Sequence, residues 1–452
     1  MSLKNVYFIG IGGIGMSAIA QYYHHAGYQV SGYDRTPSRL TEKLESQGIR
    51  IHYEDQPELI PTTVDDTLII YTPAIPASLK ELQTAREGGY RLVKRSLALG
   101  EIAQGQETLA IAGTHGKTTT STLLAHLLTD SGAGCNAFLG GISKNYHTNL
   151  LLAKNPVLVA EADEFDRSFL QLFPDIAAIT AIDADHLDIY NDLQQIQAAF
   201  LQFARQIKKA IVLKQGVSLG VPDDALTASV YRYAYDQPAD FYAKDLQPLP
   251  GGYFEFTLHT PGEPIPHCQV GIPGWVNVEN AVAAAAVAWL HGMNPEAIRK
   301  GLRSFQGVER RFDVHVNTPA CAYVDDYAHH PKEIAAALSS IRNIFPGRRV
   351  TVVFQPHLYT RTRDFYEEFA AALSQADDVI LLPIYPAREE PIEGVNAEMI
   401  LEKIQGPTAQ VIAKDQLLSH LKQQAIDILI TFGAGDIDRL IQPITELLKT
   451  TR

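Results

Sequence analysis

Gly113-Thr114-His115-Gly116-Lys117-Thr118-Thr119-Thr120 follows the apolar run Thr108 to Ala112 and leads into a helical pattern. The stretch reads as an ATP phosphate cradle. Gly113 and Gly116 let backbone N–H groups close around phosphate oxygens. Lys117 brings a point charge for the outer phosphates, and the Thr118 hydroxyl can serve Mg2+. Thr114 and Thr119 belong to the same cradle. Leu123, Leu124, Leu127 and Leu128 recur on one face of the following helix, so that face packs on a sheet while its first turn points at the anion. The spacing is G-x-x-G-K-T, shorter than the common G-x-x-x-x-G-K-[ST], and it points to a particular subset of ATP users.

A second glycine motif lies near the start of the chain. Val6 to Ile9 reads as a short buried strand, and Gly10-Ile11-Gly12-Gly13-Ile14-Gly15 opens a helix as G-x-G-x-x-G. Asp34 follows at the end of the next strand, Gln29 to Tyr33, where a ribose-binding acid is expected. The motif alone leaves a dinucleotide and another diphosphate ligand both open. A separate ATP cradle favours a second, diphosphate-bearing substrate here.

The chain has 452 residues, 46% hydrophobic and 20% charged, enough for two or three globular domains. Lys plus Arg is 38 against 51 Asp plus Glu, a formal charge of −13, which argues against nucleic acid or an anionic membrane as partner. Anionic ligands must therefore be held locally. There is no apolar run of about eighteen residues, and the N-terminus runs into a strand instead of a signal segment, so a cytoplasmic protein is expected. Cys135, Cys268 and Cys321 lack C-x-x-C spacing and read as buried free thiols.

Strands and helices alternate, the pattern of parallel α/β sheets. Three domains are expected: 1–104 with the glycine turn, 105–309 with the cradle, and 310–452 as a third α/β block. Within the second, Val217 to His267 reads as β-hairpins added to the sheet. The acidic turn Glu161-Ala-Asp163-Glu164-Phe-Asp166 ends the apolar run Val157 to Ala160, so Glu161 and Thr118 are placed to share a metal at one sheet edge. Asp183-Ala-Asp185-His186-Leu-Asp188 follows another strand, and His186 is a candidate ligand for a second Mg2+ ion or an orienting group.

These stretches together resemble the Mur ligase family, the ATP-dependent amide ligases of peptidoglycan synthesis. The likeness runs the whole length: GIGGIGMSAIA, GTHGKTTT, EADEFDRSFL, Asp185-His186, Asn277-Val-Glu-Asn280, Arg310-Arg311-Phe312, DDYAHHP from Asp325, FQPHLYTRT from Phe354, IYPAREEPIEG from Ile384 and FGAGDI from Phe432. Within the family it is most like the members that join L-alanine to UDP-N-acetylmuramic acid. The likeness implies a Rossmann-like UDP-binding domain, a central P-loop ATPase-type sheet and a Rossmann-like C-terminal domain. It also implies a monomer or weak homodimer, with ATP and Mg2+ required.

By the same resemblance, Gly12 and Gly13 would meet the diphosphate, with Asp34 near the nucleoside and His115 facing the muramoyl group. Lys117, Thr118, Glu161 and His186 would manage ATP and Mg2+, and Asn277 and Asn280 the adenine. Arg311 and Asp325 would come from the third domain onto the γ-phosphate and ribose, which implies domain closure. His329, His357 and Arg361 would border the alanine pocket. Taken singly, each has an ordinary structural explanation as cap, surface charge or loop residue. Some positions depart from the family pattern: Ala181, Val276, Ala328, and above all Leu358, where an Arg often helps hold the amino-acid carboxylate. No Lys occurs between Asn155 and Gln206, so the carbamylated lysine of several sister ligases has no counterpart.

Overall fold

The computed structural model describes residues 3–183, 190, 192–387 and 389–450. Its strands form three sheets. The first holds β1 (Asn5–Ile9), β2 (Gln29–Tyr33), β3 (Arg50–His52), β4 (Thr67–Tyr71) and β5 (Arg91–Lys94) in the order β3-β2-β1-β4-β5. Its described pairings are parallel. The order reverses at β1, so the turn after Ile9 opens at the C-terminal edge of a switch point, where α/β sheets bind ligands.

The second sheet contains β6 (Glu107–Ala112), β7 (Asn136–Ser143), β8 (Thr148–Leu151), β9 (Val157–Ala162), β10 (Ile176–Ile179), β11 (Ala210–Lys214), β12 (Ser229–Ala234), β13 (Phe241–Leu249), β14 (Tyr253–His259) and β15 (Ile265–Gln269). Their order is β15-β14-β13-β12-β11-β10-β6-β9-β7-β8. The cradle leaves β6 between β9 and β10, again at a switch point. Glu161 lies within β9, paired with Ile111, because the β6–β9 ladder continues to Ala112 and Ala162. The expected hairpins are partly replaced. β12 runs parallel to β11, since residues 215–228 give the chain enough length to cross back, and the described antiparallel pairing in this region is β14 with β15.

The third sheet comprises β16 (Asp313–Asn317), β17 (Ala322–Asp326), β18 (Val350–Phe354), β19 (Asp378–Leu381), β20 (Thr408–Val411) and β21 (Ile428–Phe432), in the order β16-β17-β21-β18-β19-β20. β16 is antiparallel to β17 and the others are parallel. All five residues of β18 and of β21 are buried, as strands covered by helices on both faces must be.

The chain divides into two compact units. One comprises residues 1–247, 255–271 and 277–306, and the other residues 248–254, 272–276 and 307–452. In the first unit a single apolar cluster runs from Val6, Phe8 and Ile70 to Phe138, Leu158 and Phe200, joining the first two sheets. The helix Lys117–Asp130 buries Leu123, Leu124, Leu127 and Leu128 to 1% exposure or less, each contributing roughly 1.5–3 kcal/mol relative to a solvated side chain.

A polar clamp crosses the same junction. Asn149 on β8 is fully buried and donates to Ile14 O at 2.7 Å and to Ser17 Oγ at 2.9 Å, at the start of the helix Ile14–His25. Gln21 Nε2 donates in turn to Asn149 Oδ1 at 3.1 Å. Asn149→Ala leaves buried acceptors without their donor and should cost about 1–3 kcal/mol, read as a lower urea midpoint for the first unit.

Candidate functional site

Two conformational demands shape the cradle. Gly113 has φ +126° and Gly116 φ +80°. A Cβ on Gly113 would lie 2.2 Å from Thr180 Oγ1, and one on Gly116 would lie 2.7 Å from Asn280 Oδ1. Glycine is therefore required by both backbone and space. Gly116 caps the helix Lys117–Asp130 without any side-chain hydrogen bond, which leaves the first-turn N–H groups and the positive helix end for an anion.

Lys117 turns back into this turn. Its Nζ lies 2.8 Å from Gly113 O and 3.0 and 2.8 Å from the two Glu164 oxygens. Burial works against the ammonium, but the carboxylates of Glu164, Asp163 and Glu161 outweigh it, and the Lys117 pKa is raised. The lysine stays charged. Burial likewise pushes the Glu164 carboxyl up, opposed by Lys117. The sequence reading missed Glu164 as a site residue. The E-x-x-E spacing of the acidic turn was the available signal, since Glu161 and Glu164 both reach the start of the cradle helix.

Thr118 Oγ1 donates to Glu161 Oε1 at 3.1 Å. This joins a hydroxyl from the first turn of the helix after β6 to a carboxylate on the adjacent strand β9, an oxygen donor set that suits Mg2+. Gly140 on β7 makes room for the carboxylate, since a Cβ there would lie 2.2 Å from Glu161 Oε2. Among the described residues no group of three or more His, Cys, Asp or Glu is placed to hold a metal. The expected ligand His186 lies outside the described residues.

The remaining cradle residues are drawn inward. Thr114 Oγ1 accepts from Asp183 N at 3.3 Å, and His115 Nε2 lies 3.3 Å from Asp183 Oδ2. Thr119 is half-buried on the first helical turn. Asn277 and Asn280, on the helix Trp275–Leu290, are both buried, and Asn280 Oδ1 accepts from Thr120 Oγ1 at 3.3 Å. In the first sheet Gly12, Gly13 and Asp34 come together. Gly12 N donates to Asp34 Oδ2 at 2.7 Å, and Gly13 caps its helix with no side-chain bond. Asp34 therefore sits on one of the N–H groups of the glycine turn.

In the second unit Asp325, expected near the ribose, lies on β17. This residue is fully buried. Its Oδ2 takes Arg310 Nε at 3.0 Å and its Oδ1 takes Thr431 Oγ1 at 2.6 Å, so it forms an ion pair inside the unit. Strand alternation turns its neighbour Asp326 the other way, where it accepts from Phe312 N at 2.9 Å and Ala328 N at 2.8 Å. Arg311 stands 5.0 Å from the centre of the Tyr327 ring. His329 and His357 have ring centres 6.0 Å apart, and Arg361 Nη1 lies 3.3 Å from His357 Nδ1. Burial lowers the His329 pKa, Glu333 opposing and Arg361 assisting. These three lie close together. Leu358 holds φ +73°, fastened by its N–H to Tyr385 O at 3.0 Å.

A phosphate cradle beside an oxygen-donor pair at the edge of a parallel α/β sheet is the arrangement of an ATP-handling enzyme. Comparison with known proteins agrees. Models described as "Mur ligase family, catalytic domain", "Mur ligase middle domain" and "Mur ligase, glutamate ligase domain" match residues 5–107, 111–288 and 310–435. UDP-N-acetylmuramate–L-alanine ligase of Porphyromonas gingivalis is 49% identical, covering 99% of this chain and 100% of that protein. Among solved structures, UDP-N-acetylmuramate-alanine ligase of Thermotoga maritima superposes with a TM-score of 0.84 at 27% identity, covering 99% of this chain and 100% of that one. A murein peptide ligase of Psychrobacter arcticus shares the fold, with a TM-score of 0.72 at 22% identity over 99% of each chain. The chain belongs to the Mur ligase family, and it is an ATP-dependent amide ligase.

Two outcomes follow from the site geometry. Gly140→Ala displaces the Glu161 carboxylate from the Thr118 hydroxyl, so ATP turnover should fall several-fold, measured as ADP release. Burial pushes the Asp326 carboxyl from its ordinary 3.8 up to about 6, against Arg311 and its backbone donors. Its ionisation in the folded chain costs nothing below about pH 4 and the full amount above about pH 6, so stability falls as pH rises through that window. Asp326→Asn cannot ionise, and the lead in melting temperature of the natural chain over D326N should shrink between about pH 4 and pH 7 in scanning calorimetry.

Proposed function

We propose that this protein joins L-alanine to the lactyl carboxylate of UDP-N-acetylmuramic acid, splitting ATP to ADP and phosphate through an acyl phosphate. The observation that carries the reading is the mostly buried Lys117 in a G-x-x-G-K-T cradle beside the Thr118–Glu161 pair, in a chain about half identical to ligases of that name. The same relatives favour a single amino acid over a ready-made peptide as the incoming amine.

The chemistry sets what each group must do. A carboxylate is ionised at neutral pH and resists an amine until one of its oxygens becomes part of a leaving group. Transfer of the γ-phosphoryl group supplies that leaving group. Lys117 exchanges Glu164 and Gly113 O for phosphate oxygens, and Arg311 is assigned to the γ-phosphate, so that charge spreading over the transferred group meets fixed cations. Thr118 and Glu161, with His186, would hold Mg2+, which when bound neutralises phosphate charge. Asn277 and Asn280 are assigned to the adenine and Asp325 to the ribose. His115 is assigned to the muramoyl group, and Gly12, Gly13 and Asp34 to the UDP moiety.

In the second unit Arg361 is assigned to the carboxylate of L-alanine, with His329 and His357 beside it. The α-ammonium of the amino acid must lose a proton before attack, and burial keeps His329 neutral and able to take it. Leu358 cannot assist Arg361 with charge. The domains are assigned as 1–104, 105–309 and 310–452. Among the described residues no helix is long and apolar enough to cross a membrane, and a cytoplasmic monomer or weak homodimer is the accompanying assignment.

Purified protein with ATP, Mg2+ and UDP-N-acetylmuramic acid should release ADP with L-alanine, less with L-serine or glycine, and least with a tripeptide. Oxygen-18 placed in the lactyl carboxylate should appear in the released phosphate. ADP release that ignores the amino acid, or phosphate without label, would overturn the proposal.

A further inference from the structure

Arg95 opens the helix Arg95–Ala103 directly after β5, at the same C-terminal edge of the first sheet as the Gly10–Gly15 turn. Its guanidinium lies against Gly15. A Cβ built on that glycine would stand 2.8 Å from Nη1, 3.2 Å from Cδ and 3.5 Å from Cζ. Gly15 is the second residue of the helix Ile14–His25, so the absence of a side chain there lets a cation press on the first helical turn. The third glycine of G-x-G-x-x-G thereby acquires a function in this chain beyond close packing.

The cation is poorly matched to its protein surroundings. Its side chain is 23% exposed, and its charge partner is Asp163, with Oδ2 3.7 Å from Nη2, too long for a hydrogen bond. Among the described residues its five donors form no hydrogen bond. By contrast, the adjacent Lys94 reaches Asp166 at 2.7 Å, and Arg232 takes Asp223 at 2.6 Å. A positive side chain against the positive end of a helix is also electrostatically adverse unless an anion joins them. Asp163, in the acidic turn that follows β9, supplies only a distant counter-charge.

We propose that Arg95 is a substrate-binding residue: its guanidinium takes the diphosphate of the nucleotide sugar at the glycine turn in place of its loose contact with Asp163. The proposal rests on the UDP-sugar reading above and adds to it the cation that the glycine turn itself lacks. The diphosphate is favoured over the lactyl carboxylate of the same substrate because the guanidinium lies on the first turn of the helix whose N-terminus faces the phosphates. Planar, two-pronged donation to phosphate oxygens is what Arg provides and Lys does not.

Binding of UDP-N-acetylmuramic acid, UDP and uridine to the full chain, by calorimetry or by competition, separates the possibilities. Arg95→Ala should weaken UDP and UDP-N-acetylmuramic acid by about 10–100-fold, with uridine and ATP affinities and the melting temperature little changed. Arg95→Lys should recover part of the loss. Asp163→Asn, which keeps the Oδ1 that accepts from Phe165 N at 3.2 Å, should bind UDP as tightly as the natural chain or more so. Equal weakening of uridine and UDP by R95A, or the same loss of UDP in D163N, would make the pair a structural tie and overturn the proposal. A loss confined to UDP-N-acetylmuramic acid, with UDP unaffected, would assign Arg95 to the carboxylate and overturn it equally. Failure of the natural chain to bind either UDP compound would overturn the nucleotide-sugar reading itself, and this proposal with it.

Discussion

A mostly buried ammonium, Lys117, held by both oxygens of Glu164 and by Gly113 O, is the contact around which the cradle is organised. A charge taken so far from water is expensive unless it is paired and hydrogen-bonded. The pairing fixes three elements at once: the end of β6 through Gly113, the start of the cradle helix through Lys117, and the turn after β9 through Glu164. Tyr190 fastens the last of these, its hydroxyl donating to Glu164 O at 2.7 Å. The ion pair keeps the lysine charged and in place.

The same solution recurs at the other glycine turn. A chain with a formal charge of −13 must concentrate positive potential where anions bind. It does so with glycine turns, helix N-termini and a lysine, and its own carboxylates take up some of these donors. Asp34 accepts from Gly12 N, as Glu164 accepts from Lys117. A phosphate therefore competes with an internal acid at each site, and affinity is the difference between two anions for one set of donors. Such a site is pre-organised, because the donors already point inward when the ligand arrives.

Much of this was legible in the sequence because it rests on local rules. The two glycine motifs, the strand before each and the leucine face of the cradle helix depend on spacing of a few residues, and the structure has them where the spacing puts them. What was not legible depends on tertiary partners. Nothing local distinguishes Asp325 from Asp326; the distinction comes from Arg310 and Thr431 meeting the first inside the sheet, while Phe312 and Ala328 bind the second. Glu164 looked like one acid among several until the strand ladder brought it to Lys117. The parallel return of β12 also escaped, because turn residues mark where a chain bends and not which side of the sheet it rejoins.

The junction of the first two sheets shows how the local sites acquire a common frame. Apolar packing alone is non-directional and would leave the helix Ile14–His25 free to slide by small amounts. Asn149 removes that freedom, since its hydrogen bonds to Ile14 O, Ser17 and Gln21 are satisfied together only in one register. Asn149 lies on β8, which pairs with β7, and β7 carries Gly140, against which Glu161 rests. The glycine turn and the oxygen pair at the cradle are thus referred to the same hairpin. A reaction that must bring an acid on one nucleotide to the terminal phosphate of another needs that fixed separation more than it needs tight binding of either.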